Sequence, residues 1–211
     1  MFYSVAYYPE HWPEEMWSRD AKLLAECNFD AVRVGEFAWC RMEPEEGTFD
    51  FSWLDRAIET LAQEGLQVIL GTPTATPPPW LIHKHREILP VDAMGVRTEF
   101  GVRKHYCHSN PDYRTYARRI AKEMAEHYQD NPHVYGWQID NEFGDHDTVR
   151  CYCESCQSEF RAWLRQKYAS LEDLNAAWGT IFWSQEYTAW EQIPLPTPRR
   201  PTMPRIGVSS N

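Results

Sequence analysis

The sequence has no apolar run that approaches the roughly 18 residues needed for a membrane-spanning helix. Its first residues, MFYSVAYYPEHW, contain neither the basic leader nor the apolar segment of a secretory signal. Basic residues are also scarce, because 21 Lys and Arg stand against 31 Asp and Glu, for a formal net charge of -10 at pH 7. Proteins that bind nucleic acid require clustered Lys and Arg. We therefore expect a cytoplasmic protein with neither a membrane partner nor a nucleic-acid partner.

A glycine-rich G-x-G-x-x-G loop is also missing after the first predicted strand, which argues against a dinucleotide-binding fold. The sequence does contain an alternation of strand and helix patterns. β-Branched and aromatic residues predict strands at 2–8, 31–36 and 66–71 and a fourth from 134 onward, with helical patterns between them. Helices of this length permit parallel pairing of the strands. The pattern predicts a parallel sheet covered by helices, closed as a doubly wound sheet or a (β/α)8 barrel.

Helix boundaries are marked by residues that commonly cap helices. Ser52, with Asp55 three residues later, predicts the N-terminus of one helix, and Gly65 predicts its end. Asn110 followed by proline predicts the start of the next long helix. A helix over 154–168 and a short one capped by Ser170 follow the fourth strand.

The end of the sequence differs in composition from the rest. After residue 193 the segment PLPTPRRPTMPRIGVSSN contains five prolines and no periodic pattern. We expect residues 1–193 to form the N-terminal portion of one domain and residues 194–211 to be an irregular segment at a truncation point. Four strand–helix units are half of a (β/α)8 barrel. We therefore expect the chain to be the front part of a longer protein.

Polar residues end the fourth strand in the stretch VYGWQIDNEFG, where Asp140, Asn141 and Glu142 follow apolar and aromatic residues typical of a buried strand. Ligands of parallel α/β proteins bind at the carboxyl ends of strands. A single acid there is more often solvated or paired with an Arg than catalytic. Sugar hydrolysis, however, needs a proton donor and gains from a hydrogen bond to the ring 2-hydroxyl, which an adjacent amide could supply. We expect Asp140, which lies deeper, to have a structural role.

Aromatic residues at the ends of predicted elements are a second indication of a ligand site. The sequence has ten Trp and eleven Tyr, and most are expected in the core. Rings at loop mouths can instead stack on flat apolar faces such as those of sugars. The candidates are Tyr7, Tyr8, Trp12, Trp39 and Trp80.

Four motifs together resemble one family. The stretches AYYPEHWP, VRVGEFAW, RKHYCHSN and GWQIDNEFG follow in the order found in glycoside hydrolase family 42, the retaining β-galactosidases built on a (β/α)8 barrel. The similarity covers residues 2–193. It implies that the fold is the first half of a (β/α)8 TIM barrel, that the substrates are β-galactosides, and that the full-length enzyme is a homotrimer.

The resemblance also implies roles for single residues. Glu142 is similar to the acid/base of the family, Asn141 and Arg103 to galactose-binding residues, and Trp183 to an aromatic wall of the pocket. Without the family, Arg103 could pair with a surface acid and Trp183 could belong to the core. The nucleophilic Glu of the family follows the seventh strand, beyond position 211. Retention requires a second carboxylate about 5–5.5 Å from the first, and neither Glu10 nor Glu36 matches its motif. We therefore expect the chain alone to be inactive.

Three cysteines lie within six residues, in the stretch CYCESC at Cys151, Cys153 and Cys156. In a cytoplasmic protein such a cluster favours a metal site over disulfides. Tetrahedral zinc requires four ligands, and Cys107, in the loop before the helix that leads into the fourth strand, is the natural fourth. The family resemblance agrees, since many members hold a structural zinc ion with cysteines at matching places. A site of four thiolates is closed to water, so we expect the zinc to be structural.

Other interpretations of the thiols remain open at this stage. His105, His108 or His146 could replace Cys107 as the fourth ligand, or the thiols could bind no metal. Cys27 and Cys40 are expected to be core cysteines.

Two alternative functions remain beside a retaining β-galactosidase. One is another barrel glycosidase that acts on a different sugar, since loops decide which hydroxyl groups are selected. The other is a carbohydrate-binding or zinc-supported structural module without turnover.

Overall fold

Four parallel strands form one sheet in the computed structural model, which describes residues 1–101, 103–144 and 150–197. The strands are β1 (Ser4–Ala6), β2 (Ala31–Val34), β3 (Gln67–Gly71) and β4 (Val134–Gln138), paired in sequence order. The helices are α1 (Glu14–Glu26), α2 (Trp39–Met42), α3 (Ser52–Gln63), α4 (Pro79–Lys84), α5 (Pro111–Tyr128), α6 (Glu154–Lys167) and α7 (Leu171–Trp178). A doubly wound sheet reverses its strand order at a switch point. The uninterrupted order is instead that of the first half of a (β/α)8 barrel.

The main core lies between the sheet and the helices that follow its strands. Val32, Val34, Val68 and Leu70 alternate along β2 and β3 and are fully buried. Apolar residues of the helices pack against them, namely Trp17 and Ala21 of α1, Leu54, Ile58 and Leu61 of α3, and Ile120 and Met124 of α5. This packing fixes the positions of the carboxyl ends of the strands.

Most of the predicted helix boundaries are confirmed. The Asn110 side chain accepts a hydrogen bond from the backbone N–H of Tyr113 at 2.9 Å, and Ser170 Oγ accepts one from Asp173 at 3.0 Å. Gly65 follows α3 with φ +80°. The prediction for Ser52 is wrong, because Ser52 is the first helical residue and donates its own N–H to Asp50 Oδ1 at 2.9 Å.

A smaller apolar cluster joins α6, α7 and the residues that follow them. Leu164, Leu174 and Ile193 are fully buried, and Trp178 and Trp190 pack against them. Residues 194–197 have no regular secondary structure. Residues 198–211 of the predicted Pro-rich segment lie outside the described residues, so the domain boundary stays a prediction.

Strand β4 is an edge strand of the four-stranded sheet. The side chains of Tyr135, Trp137 and Ile139 are 60%, 37% and 66% exposed. The ring of Phe2 stacks on Tyr135 with centroids 5.0 Å apart.

The expectation of two core cysteines is also wrong. Cys27 and Cys40 are exposed. Cys27 follows the last turn of α1, and Cys40 lies on the outer side of α2, whose neighbouring residues Trp39 and Met42 fill the core. Within the described residues, no helix is both long and apolar enough to cross a bilayer.

Candidate active site and thiol cluster

The backbone after β4 turns sharply and is held there by Asp140. Asp140 and Glu142 have φ values of +56° and +44°, in the left-handed region that non-glycine residues rarely adopt. The buried Asp140 carboxylate accepts hydrogen bonds from Thr74 Oγ1 at 2.8 Å, Tyr106 OH at 3.0 Å and the backbone N–H of Asn141 at 2.6 Å. Burial raises the pKa of Tyr106, which keeps this donor protonated. The predicted structural role of Asp140 agrees with these contacts.

Glu142 and Arg103 form an ion pair at the mouth of the site. Arg103 Nη2 lies 2.9 Å from Glu142 Oε2, and their side chains are 33% and 48% exposed. The Arg103 guanidinium also lies over the ring of Phe37, 5.5 Å from its centroid, and Phe37 stacks on Tyr8 at 5.8 Å. These contacts place residues that follow β1, β2 and β4 around one site, together with the loop before α5.

Asn141 precedes Glu142 in the chain and is 6% exposed. Its Oδ1 accepts a hydrogen bond from Gln138 Nε2 at 3.1 Å. Gln138 Oε1 in turn accepts from Arg33 Nη1 at 2.8 Å, and Arg33 Nε donates to Glu36 Oε1 at 2.9 Å. Asn141 Nδ2 is buried and has no hydrogen-bond partner among the described residues. A buried amide donor without an acceptor is costly, so this atom marks a position where a ligand oxygen would be favoured.

The two strand-end acids that precede Glu142 are in different surroundings. Glu36 is fully buried and bound to Arg33. Glu10 is enclosed, and burial raises the pKa of its carboxyl group.

Trp183 is not brought into contact with these residues in the part of the chain that the structure describes. Its side chain is 71% exposed, its φ is +61°, and its ring packs on Phe182 at 4.7 Å. Its role as a pocket wall stays a prediction. Of the rings proposed to stack on a ligand, Tyr8 lies next to the site, whereas Trp39 is fully buried and donates to Glu43.

The four cysteines of the predicted zinc site converge on one point. Their sulfur atoms all lie within 4.8 Å of one another. Cys107 Sγ lies 3.3 Å from Cys156 Sγ and 3.5 Å from Cys153 Sγ. Zn–S bonds of about 2.3 Å in a tetrahedron place sulfurs roughly 3.8 Å apart. The donor set therefore fits a tetrahedral thiolate site.

This thiol cluster, formed by Cys107, Cys151, Cys153 and Cys156, links three segments. The Cys107 N–H donates to Ile88 O at 2.7 Å, and the Cys151 sulfur accepts from the Val91 N–H at 3.4 Å. Cys153 and Cys156 lie at the start of α6. Hydrogen bonds among these thiols lower the pKa of Cys151 and raise that of Cys107, so the four groups share their protons.

The histidines proposed as alternative ligands have other contacts. His105 Nε2 lies 3.1 Å from Pro77 O. The ring of His108 packs edge-on against Tyr106, with centroids 4.9 Å apart. His146 lies outside the described residues.

A sequence profile of glycoside hydrolase family 42, described as beta-galactosidase, matches residues 6–207. The chain belongs to glycoside hydrolase family 42. It is 56% identical over 192 residues to a beta-galactosidase of Thermus thermophilus, a match that covers 91% of this chain. It is also similar to the structure of the Marinomonas ef1 beta-galactosidase, with 46% identity, a TM-score of 0.90 and 93% of this chain covered. A catalytic mutant of Gan42B, a family 42 beta-galactosidase of G. stearothermophilus, is 38% identical over 93% of this chain, with a TM-score of 0.84.

The family 42 chain spans 30% of the length of the Thermus and Marinomonas relatives and 29% of the Gan42B chain. The four-stranded parallel sheet and these structural matches confirm the predicted fold class, the first half of a TIM barrel. The predicted family is confirmed as well.

Sequence reasoning missed several residues of this family 42 site. Arg33, Phe37 and Gln138 were not selected, and Glu36 was considered only as a possible nucleophile. A polar amide in an otherwise apolar strand, as at Gln138, is the signal that could have found one of them. Their importance comes from contacts between strands that are far apart in sequence.

Proposed function

We propose that this chain forms the acid/base half of the active site of a retaining β-galactosidase, which hydrolyses terminal β-D-galactosyl residues. The proposal rests on the placement of Glu142 after β4, beside Asn141 and 2.9 Å from Arg103, in a chain of family 42. Barrel enzymes place their catalytic groups at the carboxyl ends of the barrel strands.

Glu142 would protonate the glycosidic oxygen as the bond to the leaving group breaks, and later take a proton from water. Arg103 is only a hydrogen-bond donor, and it contacts Oε2. The 48% exposure of the Glu142 side chain leaves it room to reach a substrate.

Arg103 and Asn141 would hold the galactosyl ring. Arg103 offers several donors in a fixed plane, and its contact with Phe37 fixes that plane. Asn141 Nδ2 would donate to the 2-hydroxyl, a contact that strengthens in the transition state of glycoside hydrolysis.

The nucleophile would come from the part of the longer relatives that this chain does not match. Neither Glu36, which is bound to Arg33, nor the enclosed Glu10 is suited to that task. The catalytic mutant of Gan42B carries its Glu-to-Ala substitution at position 323 of its own chain. That position agrees with a second carboxylate outside the matched region.

The thiol cluster would hold a structural zinc ion. Four thiolates leave no position for water, so the ion would stabilise the loops without entering the chemistry. Cys107 follows Arg103 by four residues, so the ion would also support the position of Arg103. Unpaired thiols of this kind are typical of a reducing compartment, which supports a cytoplasmic location. The homotrimeric state of a full-length enzyme stays a prediction.

The test uses a completed enzyme, in which residues 1–193 are joined to the remainder of the Thermus thermophilus relative. Glu142→Gln should reduce hydrolysis of an alkyl β-galactoside by roughly 100- to 10,000-fold, because general acid catalysis is lost. Formation of the glycosyl-enzyme from an aryl galactoside with a very good leaving group should fall much less, because that step needs little protonation. Full activity of the variant on the alkyl galactoside would reject Glu142 as the acid. If the enzyme without the substitution hydrolysed glucosides in place of galactosides, the proposed specificity for galactose would be rejected.

A further inference from the structure

We propose that Gln138 is a positioning residue that sets the orientation of the Asn141 carboxamide, so that its N–H group and not its carbonyl oxygen faces the substrate. This inference rests on the proposed galactoside-hydrolysing function and extends it to residues that do not touch the sugar.

A continuous chain of hydrogen bonds crosses the sheet from β2 to the end of β4. It begins at the fully buried Glu36 carboxylate, which accepts from Arg33 Nε at 2.9 Å. Arg33 Nη1 donates to Gln138 Oε1 at 2.8 Å, and Gln138 Nε2 donates to Asn141 Oδ1 at 3.1 Å. Gln138 Nε2 also donates to the backbone carbonyl of Asp140 at 2.9 Å.

The direction of every bond in this chain follows from the two charged groups at its start. A guanidinium can only donate, so Gln138 must turn its carbonyl oxygen toward Arg33. Its NH2 group then faces Asn141 and the Asp140 carbonyl, and it too can only donate. Asn141 must therefore present Oδ1 to Gln138. An isolated side-chain amide can rotate so that its oxygen and its NH2 group change places. Here Glu36 and Arg33 fix which of the two groups of Gln138 faces Asn141.

The result is that Asn141 Nδ2 points away from Gln138. This atom is buried and has no partner among the described residues. It is thus ready to donate to a hydroxyl oxygen of the sugar. Because the atom is shielded from solvent, a hydroxyl reaches it only after a side chain moves, and the neighbouring Glu142, 48% exposed, has room to do so.

Gln138→Glu is the sharpest test, because it keeps the bond from Arg33, loses the bond to the Asp140 carbonyl and reverses the bond to Asn141. The new carboxylate still accepts from Arg33, but toward Asn141 it offers only an acceptor. The Asn141 amide should then turn around and direct Oδ1 at the sugar. Gln138→Met removes all three hydrogen bonds and imposes no orientation on Asn141, so it should have a smaller effect on the ratio of the two rates measured below.

The measurement is kcat/KM of the completed enzyme for an aryl β-galactoside, divided by that for its 2-deoxy analogue. The ratio should fall by about 10- to 100-fold in Gln138→Glu, since a hydrogen bond to a buried donor is lost. It should fall no further when Asn141→Ala is added, because both changes remove the same contact. Gln67→Ala, an exposed residue at the start of β3, is the control and should leave the ratio unchanged. Melting temperatures verify that each variant is folded.

The outcomes separate this inference from the proposed function. Suppose that the completed enzyme prefers the galactoside to its 2-deoxy analogue and that Gln138→Glu shows the same kcat/KM ratio for the two substrates. That result would overturn the positioning role of Gln138 alone. Additive losses in the double variant would overturn it as well. A wild-type enzyme that hydrolyses no galactoside, or that ignores the 2-hydroxyl, would overturn the proposed function or the Asn141 contact, and the positioning role with it.

Discussion

Gly71, the last residue of β3, shows how little space the single residues of the site have. A Cβ atom at this position would lie 2.5 Å from Glu36 Cβ, closer than two non-bonded carbon atoms can approach. Gly71→Ala should therefore displace Glu36 and destabilise the completed enzyme by about 1–3 kcal/mol, the range for overpacking. Thermal unfolding of the Gly71→Ala variant and of the unsubstituted enzyme checks the prediction, and equal melting temperatures would contradict it.

Glu10 is a second residue whose surroundings predict a measurable effect. Burial raises the pKa of its carboxyl group, and both of its oxygens are shielded from solvent. The folded state therefore binds the proton more tightly than the unfolded chain. The resulting stability is complete below the unfolded pKa of about 4.3 and is lost as pH rises through the higher folded value.

Glu10→Gln should remove this dependence and raise the melting temperature at neutral pH, where the native Glu10 is destabilising. Melting curves of the completed enzyme from pH 4 to pH 8 test the sign. Glu59→Gln, at an exposed position of α3, serves as the control. A Glu10→Gln variant that is less stable than wild type at pH 8 would mean that the Glu10 charge is compensated in the folded state.

At the scale of elements, the thiol cluster joins the start of α6 to the loop before α5 and to the segment around Val91. Cys153→Ser should lower the stability of the completed enzyme by about 3–5 kcal/mol, because loss of a metal site is among the most damaging changes. Elemental analysis should find about one zinc ion per four-thiolate site. A chelator should lower the melting temperature before it reduces activity at a lower temperature.

Cys40→Ser is the matched control for the zinc prediction, since Cys40 is exposed and lies outside the thiol cluster. It should change neither zinc content nor stability. Full zinc content in Cys153→Ser, or none in the wild type, would reject the structural zinc ion.

At the scale of the whole molecule, the described sheet has two open edges, β1 and β4. Tyr135, Trp137 and Ile139 of the β4 region are 60%, 37% and 66% exposed. Unpaired strands with exposed apolar side chains promote association. The isolated 211-residue chain should therefore elute from a sizing column as an oligomer or aggregate.

The isolated chain should also fail to hydrolyse an aryl β-galactoside, because retention needs a nucleophile as well as an acid. The assay compares the isolated chain with its Glu142→Gln variant. Enzymatic turnover that disappears in the variant would place the nucleophile within these residues and contradict the proposal.

Local features of this protein followed from the sequence alone. Helical periodicity, the caps at Asn110 and Ser170 and the glycine after α3 depend on residues a few positions apart, so the pattern predicts them directly. The ordered motifs also sufficed to predict family 42 and a parallel α/β fold. Ser52 was the exception. The Asp50 carboxylate accepts the hydrogen bond from the Ser52 backbone N–H, the group that Asp55 would bind if Ser52 capped the helix.

The tertiary structure alone decided which distant residues meet. Arg33 and Gln138 are separated by 105 positions, and their contact exists because β3 pairs with both β2 and β4. The same pairing brings Phe37 under Arg103 and presses Glu36 against Gly71. Burial, partner and amide orientation are properties of the assembled sheet, and no single segment of sequence encodes them.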